Sequence, residues 1–328
     1  MNREKKPVIL VCARGFWNER ELAKRKIFHD RFELLPLDDS SLPNGVSERV
    51  VGLVLGDKPF SEDLMAAFPD LKTIARNGAG YDNVDLVAAK RRGIIVTRIA
   101  SINTKSVSEF AIGLILALSR NIVSMHRNLS NGIWKKERGR ALSEMTIGIV
   151  GVGAIGRLLA KNLHSLGAGR IIGWNRSRRP EVLELVSQCS LELVELPVLM
   201  SESDAVVVSV MLVQETANLI NKRLLSLMKP DAFLVNTSRG AVIDEEALAE
   251  LVIAGKIGGA ALDVFSIEPP IDQPFMRKLV EYVRNGGNVI LSPHSASLTK
   301  SSEQESVLLA ARNIVNVLDG NLEGVEIV

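Results

Sequence analysis

Between the apolar run Thr146-Ile-Gly-Ile-Val150 and the helix-like stretch that begins at Arg157, the chain carries Gly151-Val-Gly-Ala-Ile-Gly156. A second apolar run, Arg170-Ile-Ile-Gly-Trp174, follows that stretch, about 20 residues beyond the turn. Three glycines spaced this way, between a strand and a helix and before a second strand, constrain the fold more than any other feature. Gly151 suits a tight turn, Gly153 lets backbone approach a pyrophosphate, and Gly156 allows close helix–strand packing. Ala154 and Ile155 open a helix whose N-terminal amides face the phosphates. The context predicts a βαβ unit that binds a dinucleotide.

An acidic side chain usually ends the second strand of such a unit when the ribose hydroxyls are bound. Here the sequence is Asn175-Arg176-Ser177-Arg178-Arg179. A carboxylate would repel a 2′-phosphate, whereas guanidinium groups pair with it, so NADP is expected over NAD. A solvated basic loop is the alternative reading.

At 328 residues the chain fits two domains with a cleft between them. Apolar runs at Val8–Ala13, Phe32–Leu37, Val50–Gly56 and Leu71–Arg76 alternate with helical segments, including Glu19–His29 and one that Ser61 caps, and predict a small α/β unit. From Ser106 to about Arg127, apolar residues on most faces predict one long, largely buried linker helix. Further runs at Asp204–Val210, Ala232–Gly240, Gly259–Phe265 and Asn288–His294, spaced by helices, read as a parallel sheet buried on both faces. A last helix, Ser302 to Asp319, returns to the first unit. The expected division is 1–100 with 298–328 as a discontinuous substrate domain, and 101–297 as the nucleotide domain.

The net charge of +2 lacks the basic excess of a nucleic-acid binder. Cys12 and Cys189 lack the spacing of a disulfide framework or a zinc site. The apolar run after Pro7 is too brief for a secretory segment, and Ala111–Leu118 is too short to span a bilayer. A cytoplasmic protein that engages neither membrane nor nucleic acid is expected.

Three residues follow predicted strands, where open α/β sheets place ligands: Arg239 in Asn-Thr-Ser-Arg-Gly, Glu268 in Leu-Asp-Val-Phe-Ser-Ile-Glu-Pro, and His294 in Ser-Pro-His-Ser. An arginine can clamp a carboxylate and polarise the adjacent carbonyl, a histidine can exchange a proton with the substrate oxygen, and a glutamate can hold the imidazolium. His29, His126 and His164 read as ordinary packed or exposed side chains.

These motifs, in this order after the glycine turn, resemble the D-isomer-specific 2-hydroxyacid dehydrogenase family. Ala75–Val96 and Ser106–Arg120 are similar to its substrate-loop and linker-helix motifs, so the resemblance covers nearly the whole chain. It implies two doubly wound parallel-sheet domains, a Rossmann nucleotide-binding domain inserted into a flavodoxin-like substrate domain. It also implies reduction of a 2-oxo acid to a D-2-hydroxy acid, or the reverse, with Arg239, Glu268 and His294 as the catalytic set. By the same resemblance Gly78, Ala79 and Gly80 hold the substrate carboxylate, Asp263 meets the nicotinamide carboxamide, Thr237 and Ser295 line the cofactor, and the chain forms a homodimer.

Arg76 and the basic segment Trp134–Arg138 are similar to features of phosphoglycerate dehydrogenases, so a phosphorylated substrate is an alternative; the other reading pairs Arg76 with a local acid and leaves the segment solvated. Arg98 stands where the family often has an Asn-x-Pro-Gly stretch, and Phe275–Asn285 reads as a helical insert. Formate and phosphite dehydrogenases share the architecture. A nucleotide-sensing protein like the C-terminal-binding corepressors is the alternative of another class.

Overall fold

The computed structural model describes residues 5–37, 45–99, 102–177 and 189–328. They form two compact units, one of Met1–Asn103 with Leu298–Val328, the other of Thr104–Ser297.

The first unit is built on five parallel strands: β1 (Val8–Cys12), β2 (Glu33–Pro36), β3 (Val50–Leu55), β4 (Thr73–Arg76) and β5 (Ile95–Thr97). Their order is β2-β1-β3-β4-β5, the flavodoxin-like winding. Side chains alternate between the two faces of each strand, so a strand covered on both faces is a largely apolar run. Ile9, Val11, Val54 and Ala75 pack on one face with Val307, Ala310, Ala311 and Ile314 of the helix Lys300–Leu318. Val8, Leu10, Leu53 and Ile74 pack on the other with Met65, Phe68, Ala88 and Ala89.

The segment expected as one helix over Glu19–His29 is in pieces. Short helices at Arg14–Asn18 and Arg20–Ala23 run into a π-helical turn, Lys24–Phe28, which His29 and Asp30 close at φ 44° and 65°. The wider turn keeps both Ala23 and Phe28 in the core, which an unbroken helix offset by five residues does not favour. A helix follows Ser61 at Glu62–Ala66, but the Ser61 side chain makes no capping bond to it.

In the second unit seven parallel strands follow in sequence: β6 (Thr146–Val150), β7 (Arg170–Trp174), β8 (Leu191–Leu193), β9 (Ala205–Val208), β10 (Phe233–Asn236), β11 (Gly259–Leu262) and β12 (Val289–Leu291). Their order, β12-β11-β10-β9-β6-β7-β8, is the dinucleotide-binding winding with one further strand at the β12 edge. Winding reverses between β6 and β9, which places the turn after β6 at the switch point. The sequence reading lacked β8, a short edge strand.

The single long helix expected from Ser106 to Arg127 is two helices, Thr104–Ser119 and Ile122–Ser130, bent by 62°. Asn121 adopts φ 52°, a left-handed conformation that ends a right-handed helix and that asparagine tolerates better than most residues. The first helix is largely buried, but no residue of the second is. No single described helix is long and apolar enough to cross a membrane. The expected insert is the helix Pro274–Arg284, whose Phe275, Met276 and Leu279 join the core.

One buried acid ties the base of this sheet together. Asp204, just before β9, accepts the Thr146 N–H at 2.7 Å and meets Lys229 Nζ at 3.0 Å and Arg140 Nη1 at 3.1 Å. Burial pushes its carboxyl upward, but the Thr146 N–H, Lys229 and Arg140 outweigh that and hold it below the ordinary range. A carboxyl depressed in the folded state stabilises above its unfolded value and loses that contribution as pH falls through the folded one. Asp204→Ala is therefore expected to cost about 1–3 kcal/mol at neutral pH. Denaturant melts should show the gap between wild type and variant closing as pH falls through the folded-state value of this carboxyl; a gap that stays constant with pH removes this role.

Candidate active site

The glycine turn carries the geometry its spacing requires. Gly151 has φ 101°, and a Cβ there would lie 2.6 Å from Val210 Cγ1 and 2.7 Å from the Ser209 carbonyl oxygen. A Cβ on Gly156 would lie 2.1 Å from the Gly151 carbonyl oxygen. Gly153 differs, because a Cβ there meets nothing within 4 Å. Its lack of a side chain therefore serves no packing need of the protein and leaves backbone accessible at the N-terminus of Ala154–Ser165. Ala154 and Ile155 form the first turn of that helix, where amides have no partner within the helix itself. This arrangement fits a pyrophosphate.

Asn175 occupies the place where an acid was looked for, and its side chain has a structural task. Its Oδ1 accepts the Val152 N–H at 3.1 Å, and its Nδ2 donates to the Ser177 carbonyl at 2.6 Å. The same side chain thus braces the glycine turn and the start of the next loop. Arg176 is exposed and sits 3.5 Å from the Glu215 carboxylate, on the loop after β9. Ser177 is exposed beside it, and Arg178 and Arg179 lie outside the described residues.

Arg239 follows β10 in a turn shaped by Asn236, which is buried. Asn236 Oδ1 accepts the Ser238 N–H at 3.0 Å and its hydroxyl at 2.9 Å, while Nδ2 donates to the Arg239 carbonyl at 2.9 Å. Arg239 Nη1 donates to the Ser238 carbonyl at 2.8 Å. Thr237 is half-buried in the same turn. A Cβ on Gly240 would fall 2.0 Å from Phe265 C and Ser266 N, so this turn lies directly on the one after β11.

That second turn carries Glu268, and the loop after β12 carries His294. The ring Nδ1 of His294 is 2.8 Å from Glu268 Oε2, and Glu268 Oε1 accepts the Phe265 N–H at 2.9 Å. The carboxylate on Nδ1 fixes the orientation of the ring. His294 is held at φ 52°, a conformation that costs a side-chain-bearing residue about 1–3 kcal/mol.

Asp263, fully buried, supplies what holds it. Its Oδ1 accepts Ser292 Oγ at 2.5 Å and the Ser295 N–H at 2.8 Å, its Oδ2 accepts the Ala296 N–H at 2.9 Å, and its carbonyl accepts the His294 N–H at 2.7 Å. Both carboxylate oxygens thus accept hydrogen bonds from the His294 loop. Ser295 adds a hydroxyl bond to the Pro293 carbonyl at 3.3 Å.

In the first unit, Gly78, Ala79 and Gly80 form the turn after β4, and the Gly78 carbonyl accepts the Ile99 N–H at 3.0 Å. Arg76 is buried under this turn, and a Cβ on Gly78 would touch its Nη1 at 3.1 Å. Its Nη2 meets Asp57 Oδ1 at 2.6 Å. Arg76 thus pairs with a local acid. The guanidinium supports the turn from within, because a cation this deeply buried is held by its carboxylate partner. Arg98 likewise meets a carboxylate, Glu326, at 3.3 Å.

Asn236, which shapes the Arg239 turn, is a residue that sequence reasoning did not name. The asparagine of Asn-Thr-Ser-Arg-Gly was a readable turn former.

The family profile described as “D-isomer specific 2-hydroxyacid dehydrogenase, NAD binding domain” matches residues 112–296. A glyoxylate reductase from Thermofilum pendens is 37% identical over 303 residues, covering 90% of this chain and 86% of that protein. The structure of D-lactate dehydrogenase from Aquifex aeolicus, complexed with NAD and lactic acid, superposes with TM-score 0.83 at 26% identity, covering 96% of each chain. An NADPH-dependent glyoxylate/hydroxypyruvate reductase from Sinorhizobium meliloti, in complex with NADP and malonate, gives 0.81 at 28% identity over 96% of this chain and 94% of that one. With a glycine turn at the switch point, a histidine–glutamate pair beyond the same sheet and relatives of this likeness along its length, the chain belongs to the D-isomer specific 2-hydroxyacid dehydrogenase family.

Proposed function

We propose that the protein reduces a small, unphosphorylated 2-oxo acid such as glyoxylate or hydroxypyruvate to its 2-hydroxy acid, with NADPH preferred over NADH. The observation that carries the reaction type is the His294–Glu268 pair at 2.8 Å, with the Glu268 turn lying against the Arg239 turn. A bound nicotinamide supplies the hydride that C2 of the oxo acid accepts. Arg239 pairs with the substrate carboxylate and stabilises charge developing on the neighbouring oxygen. Protonated His294 gives the Nε2 proton to that oxygen, and Glu268 keeps the ring oriented and favours its charged form. Oxidation of the hydroxy acid reverses these roles.

Two features support the choice of NADPH: no acid stands at position 175, and Arg176 is exposed beside the glycine turn. Glu215 would share Arg176 with a 2′-phosphate, which limits the gain. The reading of the substrate as unphosphorylated rests on the commitment of Arg76 to Asp57.

A steady-state screen of glyoxylate, hydroxypyruvate and phosphohydroxypyruvate with each nicotinamide tests all three parts. Arg176→Ala is expected to lower kcat/KM for NADPH about 10-fold, the value of one exposed charged hydrogen bond, and to leave NADH use nearly unchanged. A wild-type protein that strongly prefers NADH removes the cofactor reading, preference for phosphohydroxypyruvate removes the substrate reading, and no turnover of any 2-oxo acid removes the reaction.

A further inference from the structure

Glu245 opens the helix Glu245–Ile253, a position where acids usually face water beside the helix's positive end. Here the residue is only 8% exposed. Its Oε1 accepts the Ser266 N–H at 3.0 Å, and its Oε2 is hydrogen-bonded to Ser266 Oγ. Ser266 stands two residues before Glu268 in the turn whose Phe265 N–H also binds the Glu268 carboxylate. From the other side that turn rests on the Gly240 backbone.

The turn is therefore gripped at Ser266 by a carboxyl that the proton transfer described above does not use. Burial raises the Glu245 carboxyl from its ordinary value; the Ser266 bonds draw it back, and the charge of Glu268 pushes it further up. Removing a carboxyl from water costs free energy that an apolar residue at this position would not incur. A residue needed only to fill the space would not require that cost, whereas one that must fix a neighbouring turn in a single orientation gains from two directed hydrogen bonds.

We propose that Glu245 is a positioning residue for the acid/base pair: by fixing the Ser266 turn it sets the approach of Glu268 to His294 Nδ1. The inference rests on the reading of His294 and Glu268 given above. The ionisable groups gathered around these turns are Glu245 from its helix, Arg239 after β10, Asp263 and Glu268 after β11, and His294 after β12.

The test compares Glu245→Ala and Glu245→Gln with wild type in the NADPH-dependent reaction, and follows the His294 ring by NMR titration. Its signal is identified as the one missing from His294→Gln. Loss of both bonds in the alanine variant should lower kcat roughly 10- to 100-fold, the scale of a small misplacement, with KM for NADPH changed less than about twofold. The pH at which the His294 ring titrates should move down as the Glu268 contact loosens, because a carboxylate at Nδ1 favours the charged ring.

Glutamine keeps an acceptor for the Ser266 N–H and a donor for its hydroxyl, so it should recover most of the kcat and the ring titration. A folded alanine variant with wild-type kcat and titration overturns the proposal. So does a loss of kcat, in both variants alike, with the ring titration unmoved. Where alanine prevents folding, Glu245→Asp, one methylene short of Ser266, takes its place with the same expectations. A shifted ring titration in a protein that turns over no 2-oxo acid upholds the positioning role and removes the proposed reaction instead.

Discussion

His294→Gln should lower kcat for 2-oxo acid reduction by about 10²- to 10⁴-fold, the range for loss of a positioned general acid, and leave NADPH affinity within about twofold of wild type. Glutamine approximates the reach of the ring and can donate a hydrogen bond to Glu268, but it cannot carry the proton. The His294 loop is held by Asp263 and Glu268, and the nucleotide turn after β6 is braced by Asn175, so binding of the cofactor should be spared. Two measurements check this: single-turnover reduction, which isolates the chemical step, and fluorescence titration with NADPH. Because His294 sits at φ 52°, a melting curve must accompany them. A stable variant that retains near-normal turnover removes His294 from the mechanism, and a variant that loses NADPH binding shows that the loop acts on the cofactor.

The sequence exposes this loop's residue types but not the device that shapes it. His294 was legible because a histidine after an apolar strand, in company with Arg239 and Glu268, is unusual. Asp263 was legible only through resemblance. Its grip on Ser292, Ser295 and Ala296 depends on β11 and β12 lying side by side, a relation of residues almost thirty positions apart. Parallel strands were the easiest elements to read, since burial on both faces leaves continuous apolar runs such as Val8–Cys12 and Phe233–Asn236.

Where periodicity alone had to decide, the reading was less complete. Leu191–Leu193 is an edge strand too short to show an apolar run. The bend at Asn121 lies in Ser119-Arg120-Asn121, which contains neither glycine nor proline to announce a break. Asn175 shows a different limit. The absence of an acid there was legible, but the bond that binds Asn175 to Val152 appears only when β6 and β7 are paired.

The glycine turn offers the sharpest separation of structure from binding, because its first two glycines are required for different reasons. Gly153→Ala should leave stability within about 0.5 kcal/mol of wild type, as a substitution that disturbs no neighbour. Gly153 has φ −79°, which alanine adopts readily, and the added Cβ meets nothing within 4 Å. The methyl group nevertheless stands where backbone must approach a pyrophosphate. The NADPH dissociation constant should therefore rise at least about 10-fold, a loss of about 1.4 kcal/mol.

Gly151→Ala should fail on both counts. Its φ of 101° is strained for alanine, and its Cβ would enter the space of Val210 and the Ser209 carbonyl oxygen. Strain and crowding together predict a loss of about 2–6 kcal/mol of stability, with weakened cofactor binding as the turn shifts. Chemical denaturation and NADPH titration on the two variants give the four numbers needed. Normal NADPH binding by Gly153→Ala would place the pyrophosphate away from this turn and undo the nucleotide assignment. Normal stability of Gly151→Ala would mean that the crevice between β6 and β9 yields easily and that the crowding at Gly151 carries no cost.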